Sequence, residues 1–336
     1  MKNTWNPGQL LQMSGAYWMS CTIHASVKLE IYSCIGDSPK TANAISASIN
    51  ADIDATTRLL NALVAVGLLQ KQEDAYANTP ESTKYLEKSS PEYIGHMIMH
   101  HHHLVEPWSK LDQAVRSGKS VRISASYSDG IVRESFLMGM FNNAMFIAPT
   151  IAEHVDLSGK MHLLDLGGGP GTYGIHFCMK NPSLKATIFD LPTTQPFAQK
   201  IIDRFQLSER IDFIGGNYTT DSIPGSYDVA WLSHIIHSES PEVCDQLIQK
   251  AVATLKPGGL LLVHDFILKD TMDAPMFPAL FSLNMLIGTE KGRSYAEKDI
   301  REMFSKAGLV NIRRISVDTP TDSGIIAGEL QSVQSK

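Results

Sequence analysis

The sequence predicts an α/β protein in which a doubly wound, mainly parallel sheet follows a mainly helical N-terminal region. Short apolar runs alternate with helical patterns through residues 156–336, as they do in parallel sheets with crossover helices. One run ends in a glycine-rich turn, Gly167 to Gly171, that opens a helix over 173–179. No helix separates the last two runs, so they form a hairpin and the terminal strand runs antiparallel. The seven strand candidates are 161–166, 186–190, 210–214, 227–233, 259–265, 309–317 and 323–330.

Residues 1–80 have a winged-helix pattern. Helical spacing begins at Pro7, Thr41 is expected to cap a helix over 42–49, and Asp54 one over 55–66 that stops at Gly67. Residues 68–72 and 76–79 flank an acidic turn like the strands of a wing. A winged helix either reads DNA or serves as a structural or dimerisation module. The second helix presents a single basic residue, Arg58, whereas a reading helix presents several, so the module is favoured.

Composition excludes several classes of protein. The 336 residues carry a net charge of −6, which argues against a protein that binds nucleic acid by neutralising phosphates. The four cysteines are widely spaced without a C-x-x-C pair, so they are expected to be reduced thiols rather than a zinc site or a disulfide framework. We find no apolar signal core in the first residues and no run of transmembrane length, and therefore expect a cytoplasmic protein without a membrane partner.

Residues 81–155 are predicted to be mainly helical, with an interruption near 117–128. The run His100 to His103 puts two histidines on one helix face, which permits a metal pair. No acidic or cysteine residue stands at ligand spacing beside them, so a role in covering a pocket or an interface is favoured and no metal is expected. The next helix, 136–151, is rich in methionine and phenylalanine, a composition found in cores and in adaptable apolar pockets.

The glycine turn predicts a nucleoside site. Gly167, Gly169 and Gly171 follow a buried strand and precede a helix, which places bare backbone N–H groups where open α/β sheets bind ligands. Asp190 ends the next strand, and an acid there accepts hydrogen bonds from ribose hydroxyls. Thr172 stands where the dinucleotide fingerprint has glycine, and the closing hairpin replaces the crossover helices that a dehydrogenase would continue with.

The order of these motifs resembles that of class I S-adenosylmethionine-dependent methyltransferases. More narrowly, it resembles the two-domain small-molecule O-methyltransferases of the plant phenol, hydroxyindole and bacterial antibiotic types. The resemblance covers nearly the whole chain and implies a winged-helix dimerisation domain at 1–100. It further implies a helical linker and substrate-pocket segment at 101–155 and a Rossmann-like, seven-stranded cofactor domain at 156–336. The matching motifs are Asp165–Gly171, Phe189–Pro192, Gly215–Tyr218, Ser233–His237 and Leu255–Gly259.

The resemblance implies S-adenosylmethionine as the cofactor and S-adenosylhomocysteine as the product. The glycine turn would contact the methionine part, Asp190 the ribose and Tyr218 the adenine face. Asn217 stands where the family usually has aspartate and would accept a hydrogen bond from the adenine amine. Ser233 stands where plant members have lysine. The implied cofactor-binding residues are Asp165, Gly167, Gly169, Gly171, Asp190, Leu191, Gly216, Asn217, Tyr218, Ser233 and His234.

By the same resemblance, His237 is the catalytic base and Asp265 the acid that orients it. The sulfonium methyl is already activated, so the enzyme needs only to align a nucleophile and remove its proton. An imidazole can accept that proton near neutral pH. The tripeptide His237-Ser238-Glu239 departs from the frequent His-Asp-Trp. A second acid of plant members falls on Gly292, so Glu290 is a candidate substitute, and His234 is an alternative base.

The substrate pocket implied by the resemblance takes Phe141, Met145, Asn284 and Met285. Soft apolar walls suit an aromatic or polycyclic hydroxyl compound, which makes O-methylation of such a metabolite the predicted function. The alternatives are a C-methyltransferase, a non-methylating relative, or a ligand-responsive winged-helix DNA-binding regulator. The resemblance also implies a homodimer in which an N-terminal helix closes the partner's pocket, with Met13 and Tyr17 as candidates.

Overall fold

The computed structural model describes residues 5–122 and 130–332. The chain forms two compact units, each described here by itself. The N-terminal unit comprises Met1–Val105 and Glu134–Asn142, and the C-terminal unit comprises Glu106–Arg133 and Asn143–Lys336. The predicted linker segment, 101–155, therefore contributes residues to both units.

The N-terminal unit is a helical module with a small antiparallel sheet. Its core is formed by Ile31, Tyr32, Leu60, Leu63 and Tyr76, which are all buried. The sheet has the order β1-β3-β2, so a short strand that the sequence pattern did not reveal joins the predicted wing. The elements are α1 (Pro7–Ser14), α2 (Tyr17–Lys28), α3 (Ile31–Ile35), β1 (Lys40–Thr41), α4 (Ala42–Ser48), α5 (Ile53–Val66), β2 (Leu69–Gln72), β3 (Ala75–Asn78), α6 (Pro80–Leu86) and α7 (Gly95–Trp108), whose last turn lies beyond this unit.

The capping residue of α5 differs from the prediction. Asp52 is the cap, since its Oδ1 accepts the Ala55 backbone N–H at 2.8 Å. Asp54, the predicted cap, lies in the first turn of the helix and pairs with Arg58 on the surface at 2.6 Å. The helix does end at Gly67, whose φ of 87° is the left-handed conformation that glycine adopts readily.

The histidine run lies on α7. His100 is buried and its ring lies 5.3 Å from that of Phe136. His102 approaches the Lys28 Nζ at 3.2 Å and the ring of His24 at 5.8 Å. These contacts hold His100 and His102 within the N-terminal unit, whereas His101 is exposed. Among the described residues, the one group of metal-ligand type side chains close enough to share an ion lies elsewhere, at residues 234, 237 and 265.

The C-terminal unit contains the predicted seven-stranded sheet. Its order is β6-β5-β4-β7-β8-β10-β9, and the five strands β4 to β8 are parallel to one another. The last strand of the chain, β10, is antiparallel to both of its neighbours, which confirms the predicted hairpin and places it inside the sheet. The strands are β4 (His162–Leu166), β5 (Lys185–Asp190), β6 (Ile211–Gly215), β7 (Tyr227–Ser233), β8 (Leu255–Phe266), β9 (Leu309–Ile315) and β10 (Ser323–Leu330).

The strand order places a ligand crevice between β4 and β7. The chain moves outward in one direction from β4 to β6 and returns to start β7 on the other side of β4. The carboxyl ends of β4 and β7 therefore flank a topological switch point, where open α/β sheets bind ligands. The helices of this unit are α8 (Leu111–Ser117), α9 (Gly130–His154), α10 (Thr172–Lys180), α11 (Gln195–Arg204), α12 (Pro241–Ala253), α13 (Met276–Gly288) and α14 (Glu297–Lys306).

Helix α9 is longer than the predicted 136–151 and contributes to both units. Its section Val132–His154 is the one helix of the described chain that is long and apolar enough to cross a membrane, and about half of that section is buried. A core helix of a globular protein passes the same test, so the section is weak evidence for a membrane span. The predicted interruption near 117–128 begins where α8 ends, and residues 123–129 lie outside the described chain.

Candidate functional site

The glycine turn after β4 is tightly packed at one residue and open at another. A Cβ on Gly167 would lie 2.6 Å from the Ile235 side chain, so the backbone there requires glycine for space as well as for its φ of 65°. A Cβ on Gly169 would meet no atom within 4 Å, so this part of the turn borders open space. The turn therefore presents bare backbone to a cleft at the switch point.

Asp165 lies under the turn and is fully buried. Its Oδ2 accepts the Gly174 N–H at 3.1 Å, and its Oδ1 has no hydrogen bond within the described chain. Burial, followed by the nearby charge of Asp190, raises the pKa of Asp165 to about 7, although the Gly174 bond acts in the opposite direction. The carboxyl under the turn is therefore poised to gain or lose a proton near neutral pH.

Asp190 ties the turn to the end of β5. Its Oδ2 accepts the Gly169 N–H at 2.8 Å, and its Oδ1 accepts the Leu191 N–H at 2.7 Å and the Thr194 hydroxyl at 2.9 Å. A carboxylate offers about four acceptor sites, so one remains for a ribose hydroxyl. Burial raises the pKa of Asp190, and the three hydrogen bonds counter that effect.

In the segment after β6, the side-chain oxygen of Asn217 is already occupied by hydrogen bonds. The Asn217 Oδ1 accepts both the N–H and the hydroxyl of Thr219, at 3.0 and 2.7 Å. Both lone pairs are used, so this oxygen cannot also accept a hydrogen bond from an adenine amine, contrary to the role predicted for it. Tyr218 lies beside the turn, with its ring 3.5 Å from the position of a Cβ on Gly167, and its hydroxyl donates to the Glu239 Oε1 at 3.2 Å.

Three side chains form a hydrogen-bonded network at the carboxyl ends of β7 and β8 and the start of β10. The His264 Nδ1 bonds with the Ser233 hydroxyl and its Nε2 with the Ser323 hydroxyl, both at 2.9 Å. Burial drives the pKa of His264 well below its ordinary value, so the ring is neutral. The predicted cofactor contact Ser233 is thus held by a histidine that the sequence pattern did not reveal. The next residue, His234, has a φ of 56°, and its backbone N–H donates to the His264 carbonyl at 2.8 Å.

His237 and Asp265 form a buried hydrogen-bonded pair. The His237 Nδ1 lies 2.7 Å from the Asp265 Oδ1, and the backbone N–H groups of Phe266 and His237 donate to the two carboxylate oxygens at 2.8 and 3.3 Å. Burial would raise the pKa of Asp265, but the electrostatic attraction of His237, its hydrogen bond and the nearby His234 ring outweigh it and hold the pKa well below its usual range. The ionised carboxylate only accepts, so the Nδ1 carries the hydrogen of the neutral ring and the Nε2 holds a lone pair.

The Nε2 of His237 makes no hydrogen bond within the described chain, and its ring is walled by aromatic side chains. The Phe281 ring lies edge-on at 4.8 Å and the Phe266 ring is stacked at 5.9 Å. Asp265 Oδ1 lies 3.8 Å from the Nδ1 of His234, the alternative base, compared with 2.7 Å from the Nδ1 of His237. The geometry favours His237 as the proton acceptor.

This chain has no room for a side chain at position 292, where plant members have a second acid. A Cβ on Gly292 would lie 2.5 Å from the His237 carbonyl oxygen, and the Arg293 N–H donates to that same oxygen at 2.8 Å. Glycine is therefore required for the close approach. Glu290 is exposed, and the described chain gives it no hydrogen bond to His237. Asp265 is the carboxylate that the structure brings to His237.

The predicted pocket residues lie on two helices. Asn284 and the buried Met285 lie on α13, where the Trp108 Nε1–H donates to the Asn284 Oδ1 at 3.1 Å. Met145 lies on α9, with its sulfur 3.5 Å from the His176 Nε2. Phe141 is buried in the part of α9 that belongs to the N-terminal unit. Trp108 was not predicted, and its partner lies 176 positions along the chain.

The residues of the cleft fit an adenosyl sulfonium cofactor. The open space beside Gly169 admits a ligand, the fourth acceptor site of Asp190 suits a ribose, and the Tyr218 ring offers a flat apolar face. When bound, such a cofactor supplies an activated methyl group. The chain itself then has to exclude water, orient the acceptor and take up one proton, for which His237 and Asp265 are arranged.

Comparison with known proteins agrees with this geometry. Residues 108–310 match the family model of the O-methyltransferase domain, which is more than half of the chain. The chain belongs to the O-methyltransferase family. Residues 11–88 match the O-methyltransferase dimerisation domain, which corresponds to the predicted winged-helix module. The protein is therefore an S-adenosylmethionine-dependent O-methyltransferase, and the methyltransferase fold predicted from the sequence is confirmed.

The similar curated proteins span nearly the same length. The chain is 29% identical over 321 residues to the tetracenomycin polyketide synthesis 8-O-methyl transferase TcmO of Streptomyces glaucescens, with 94% of each chain covered. It is 28% identical over 333 residues to the 3-hydroxy-5-methyl-1-naphthoate 3-O-methyltransferase of Streptomyces sahachiroi, with 96% of this chain and 95% of the relative covered.

Solved structures show the same fold. An O-methyltransferase family protein from Burkholderia thailandensis superposes with a TM-score of 0.88 at 27% identity, covering 98% of this chain and all of that one. Human N-acetylserotonin methyltransferase, solved in complex with S-adenosylmethionine, superposes with a TM-score of 0.86 at 24% identity, covering 99% of this chain and all of that one.

Proposed function

We propose that this methyltransferase transfers a methyl group to a hydroxyl of a small aromatic or polycyclic compound, with His237 as the general base. The observation that carries the proposal is the buried contact of 2.7 Å between the His237 Nδ1 and Asp265, which leaves the Nε2 lone pair unpaired in the described chain. The aromatic rings of Phe281 and Phe266 beside it suit a flat substrate. The names of the two Streptomyces relatives, which act on a polyketide and a naphthoate, support this class.

The supporting residues have distinct proposed roles. The glycine turn with Asp165 and Asp190 would hold the methionine and ribose parts of the cofactor, and Tyr218 would cover the adenine. Asp265 orients His237 and stabilises its charged form once the substrate proton has moved to the Nε2. Met145, Asn284 and Met285 would line the substrate. The remaining proposed cofactor contacts are Leu191, Gly216, Asn217 through its amide N–H groups, Ser233 and His234.

We further propose a homodimer formed through the predicted domain 1–100. The first two helices expose large apolar side chains, among them Leu11 at 74% and Trp18 at 70%, and they overlap the matched dimerisation region. Met13 and Tyr17 are exposed on the same helices and would close the partner's pocket. In this organisation 101–155 joins the modules and 156–336 binds the cofactor, and the enzyme works in the cytoplasm on a small molecule, without nucleic acid or membrane.

The general-base role is tested by substitution of the two candidate histidines. We expect H237A to lower kcat/KM by about 10²- to 10⁴-fold, the range that a positioned base contributes, and H234N by less than about tenfold. Methyl transfer from radiolabelled cofactor is the assay, and calorimetric binding of S-adenosylhomocysteine checks that each variant is folded. NMR of the product locates the methyl group. Full activity of H237A, or a methyl group on carbon, would refute the proposal.

A further inference from the structure

The ring of His234 is a largely buried polar group that proton removal by His237 does not use. Both ring nitrogens are buried, and neither has a hydrogen bond within the described chain. The ring packs against those of His264 and Phe266, with 4.4 Å between ring centres in each case. Its residue has a φ of 56°, a strained conformation for a side chain with a Cβ. A buried histidine held in this way without a partner is a candidate for a further function.

The three side chains 234, 237 and 265 have the spacing of a metal site. The Asp265 Oδ1 lies 2.7 Å from the His237 Nδ1 and 3.8 Å from the His234 Nδ1. One ligand atom from each side chain lies within 4.8 Å of the other two. Ligand atoms of a tetrahedral zinc ion are about 3.3–3.6 Å apart, so shifts of about 1 Å would complete the geometry. Two histidines and a carboxylate are a ligand set of zinc sites that keep a fourth position for water.

The carboxylate of this cluster is already oriented. The Phe266 N–H donates to the Asp265 Oδ1 at 2.8 Å, and the His237 N–H donates to the Oδ2 at 3.3 Å. Backbone bonds of this kind hold a metal ligand in place from outside the site. Within the described chain, Asp265 pairs with the two histidines and with no lysine or arginine. Its negative charge is therefore available to a cation that the two imidazoles also bind.

We propose that His234, His237 and Asp265 form an inhibitory Zn²⁺ site that inactivates the base. Zinc takes the Nδ1 lone pair of His237 in place of its hydrogen, and the neutral ring then carries that hydrogen on the Nε2. The proton moves between the two nitrogens by exchange with water, and no group is oxidised or reduced. The Nε2 then donates instead of accepting, so it cannot take the substrate proton. The inhibition rests on the proposed function, whereas the binding of zinc does not.

Zinc binding is measured by calorimetry on the full-length enzyme, purified without a polyhistidine tag and freed of metal with a chelator. We expect one tightly bound Zn²⁺ per chain, and Co²⁺ in its place should show the intense visible absorption of a four-coordinate ion. Zinc should also raise the Tm, because it binds the folded chain. Saturating zinc should slow methyl transfer by about 100-fold or more, the least that a positioned base contributes, and excess chelator should restore the rate.

Substitutions distinguish this site from zinc bound elsewhere on the protein. H234N and H237N each remove one ligand and should lower the zinc affinity by at least about 100-fold, since loss of even an outer-shell partner costs roughly 10- to 100-fold. H154N, at an exposed histidine, and H102N, in the histidine run of α7, are the matched controls and should keep the wild-type affinity. The Tm without metal shows that each variant is folded.

Three results would overturn the inference. The first is a wild-type enzyme that binds no zinc, or binds it with an affinity that H234N and H237N leave unchanged. The second is a cobalt spectrum of six-coordinate geometry. The third is zinc bound at this site with methyl transfer within about twofold of the metal-free rate. Failure of the proposed function is distinct, because it appears as undiminished methyl transfer in H237A without zinc, whatever calorimetry shows.

Discussion

Replacing Asp265 by asparagine isolates the effect of the negative charge beside the base. Asparagine has the same shape, and its oxygen can accept the two donors that reach the Asp265 Oδ1, from the His237 Nδ1 and the Phe266 backbone. The amide nitrogen then faces the His237 backbone N–H, a weaker contact at 3.3 Å. The ring orientation is therefore kept, and the change is mainly the loss of one buried charge.

The size of the effect follows from the 2.7 Å separation. Unit charges at this distance attract by about 6 kcal/mol at an effective dielectric constant of 20, which is an upper bound for a positive charge that is still forming. A hydrogen bond to a charged group exceeds a neutral one by about 1–2 kcal/mol, which is the better guide here because the bond itself remains. We therefore expect kcat/KM of D265N to fall by about fivefold to 30-fold.

The pH profile distinguishes this explanation from a general loss of structure. The pKa of Asp265 is held well below its usual range, so the carboxylate stays ionised throughout an assay between about pH 5 and 9. Without it, the charged imidazole loses its counter-ion, and the acid limb of kcat/KM should move to lower pH. D228N, at the other end of β7, is the control. Activity of D265N within about twofold of wild type, or an unmoved acid limb, would refute the reasoning.

The remaining predictions concern stability, assembly and backbone fit. The pKa of Asp165 is raised to about 7, so the folded protein binds its proton more tightly than the unfolded chain, and stability falls as pH rises from about 4 to 7. Between pH 5 and 8 the loss is about 3 kcal/mol, so the Tm of D165N relative to wild type should rise by on the order of 4 °C over that range, and a constant difference would contradict this. The double variant L11D/W18D should sediment as a monomer where the wild type sediments as a dimer, and a monomeric wild type would exclude the proposed assembly. G292A should lower kcat/KM about tenfold because its Cβ meets the His237 carbonyl, whereas E290Q should stay within about twofold, and the reverse order would show that Glu290 participates.

The fold was predictable because its signals are local. Each parallel strand is a short apolar run beside a helical pattern, and the missing helix before β10 was sufficient to predict the hairpin. The cap of α5 was mispredicted because Asp52 and Asp54 both lie at the start of the helix, and residue type alone cannot tell which backbone is extended. Strand β1 has two residues, too few for any periodicity to appear.

Site residues could be predicted where they belong to a sequence motif. Contacts between residues that are far apart in the sequence could not be predicted. His237 and Asp265 were predicted as a pair from motifs after β7 and on β8, and the structure brings them within 2.7 Å of each other. The Trp108–Asn284 bond spans 176 positions, so nothing in either local pattern indicates how the amide is turned. Asn217 was assigned an acceptor role that its own turn prevents, because Thr219 already donates twice to the side-chain oxygen.

The ring of His264 has an evolutionary consequence. It bridges hydroxyls on two strands that flank its own, Ser233 on β7 and Ser323 on β10, and each ring nitrogen has one partner. A substitution at any one of the three positions leaves a polar group in the interior without its hydrogen-bond partner. Such a substitution should therefore be tolerated only when the other two residues are also replaced. Related sequences are expected to exchange 233, 264 and 323 as a set, which would couple the history of the C-terminal hairpin to that of the cofactor cleft.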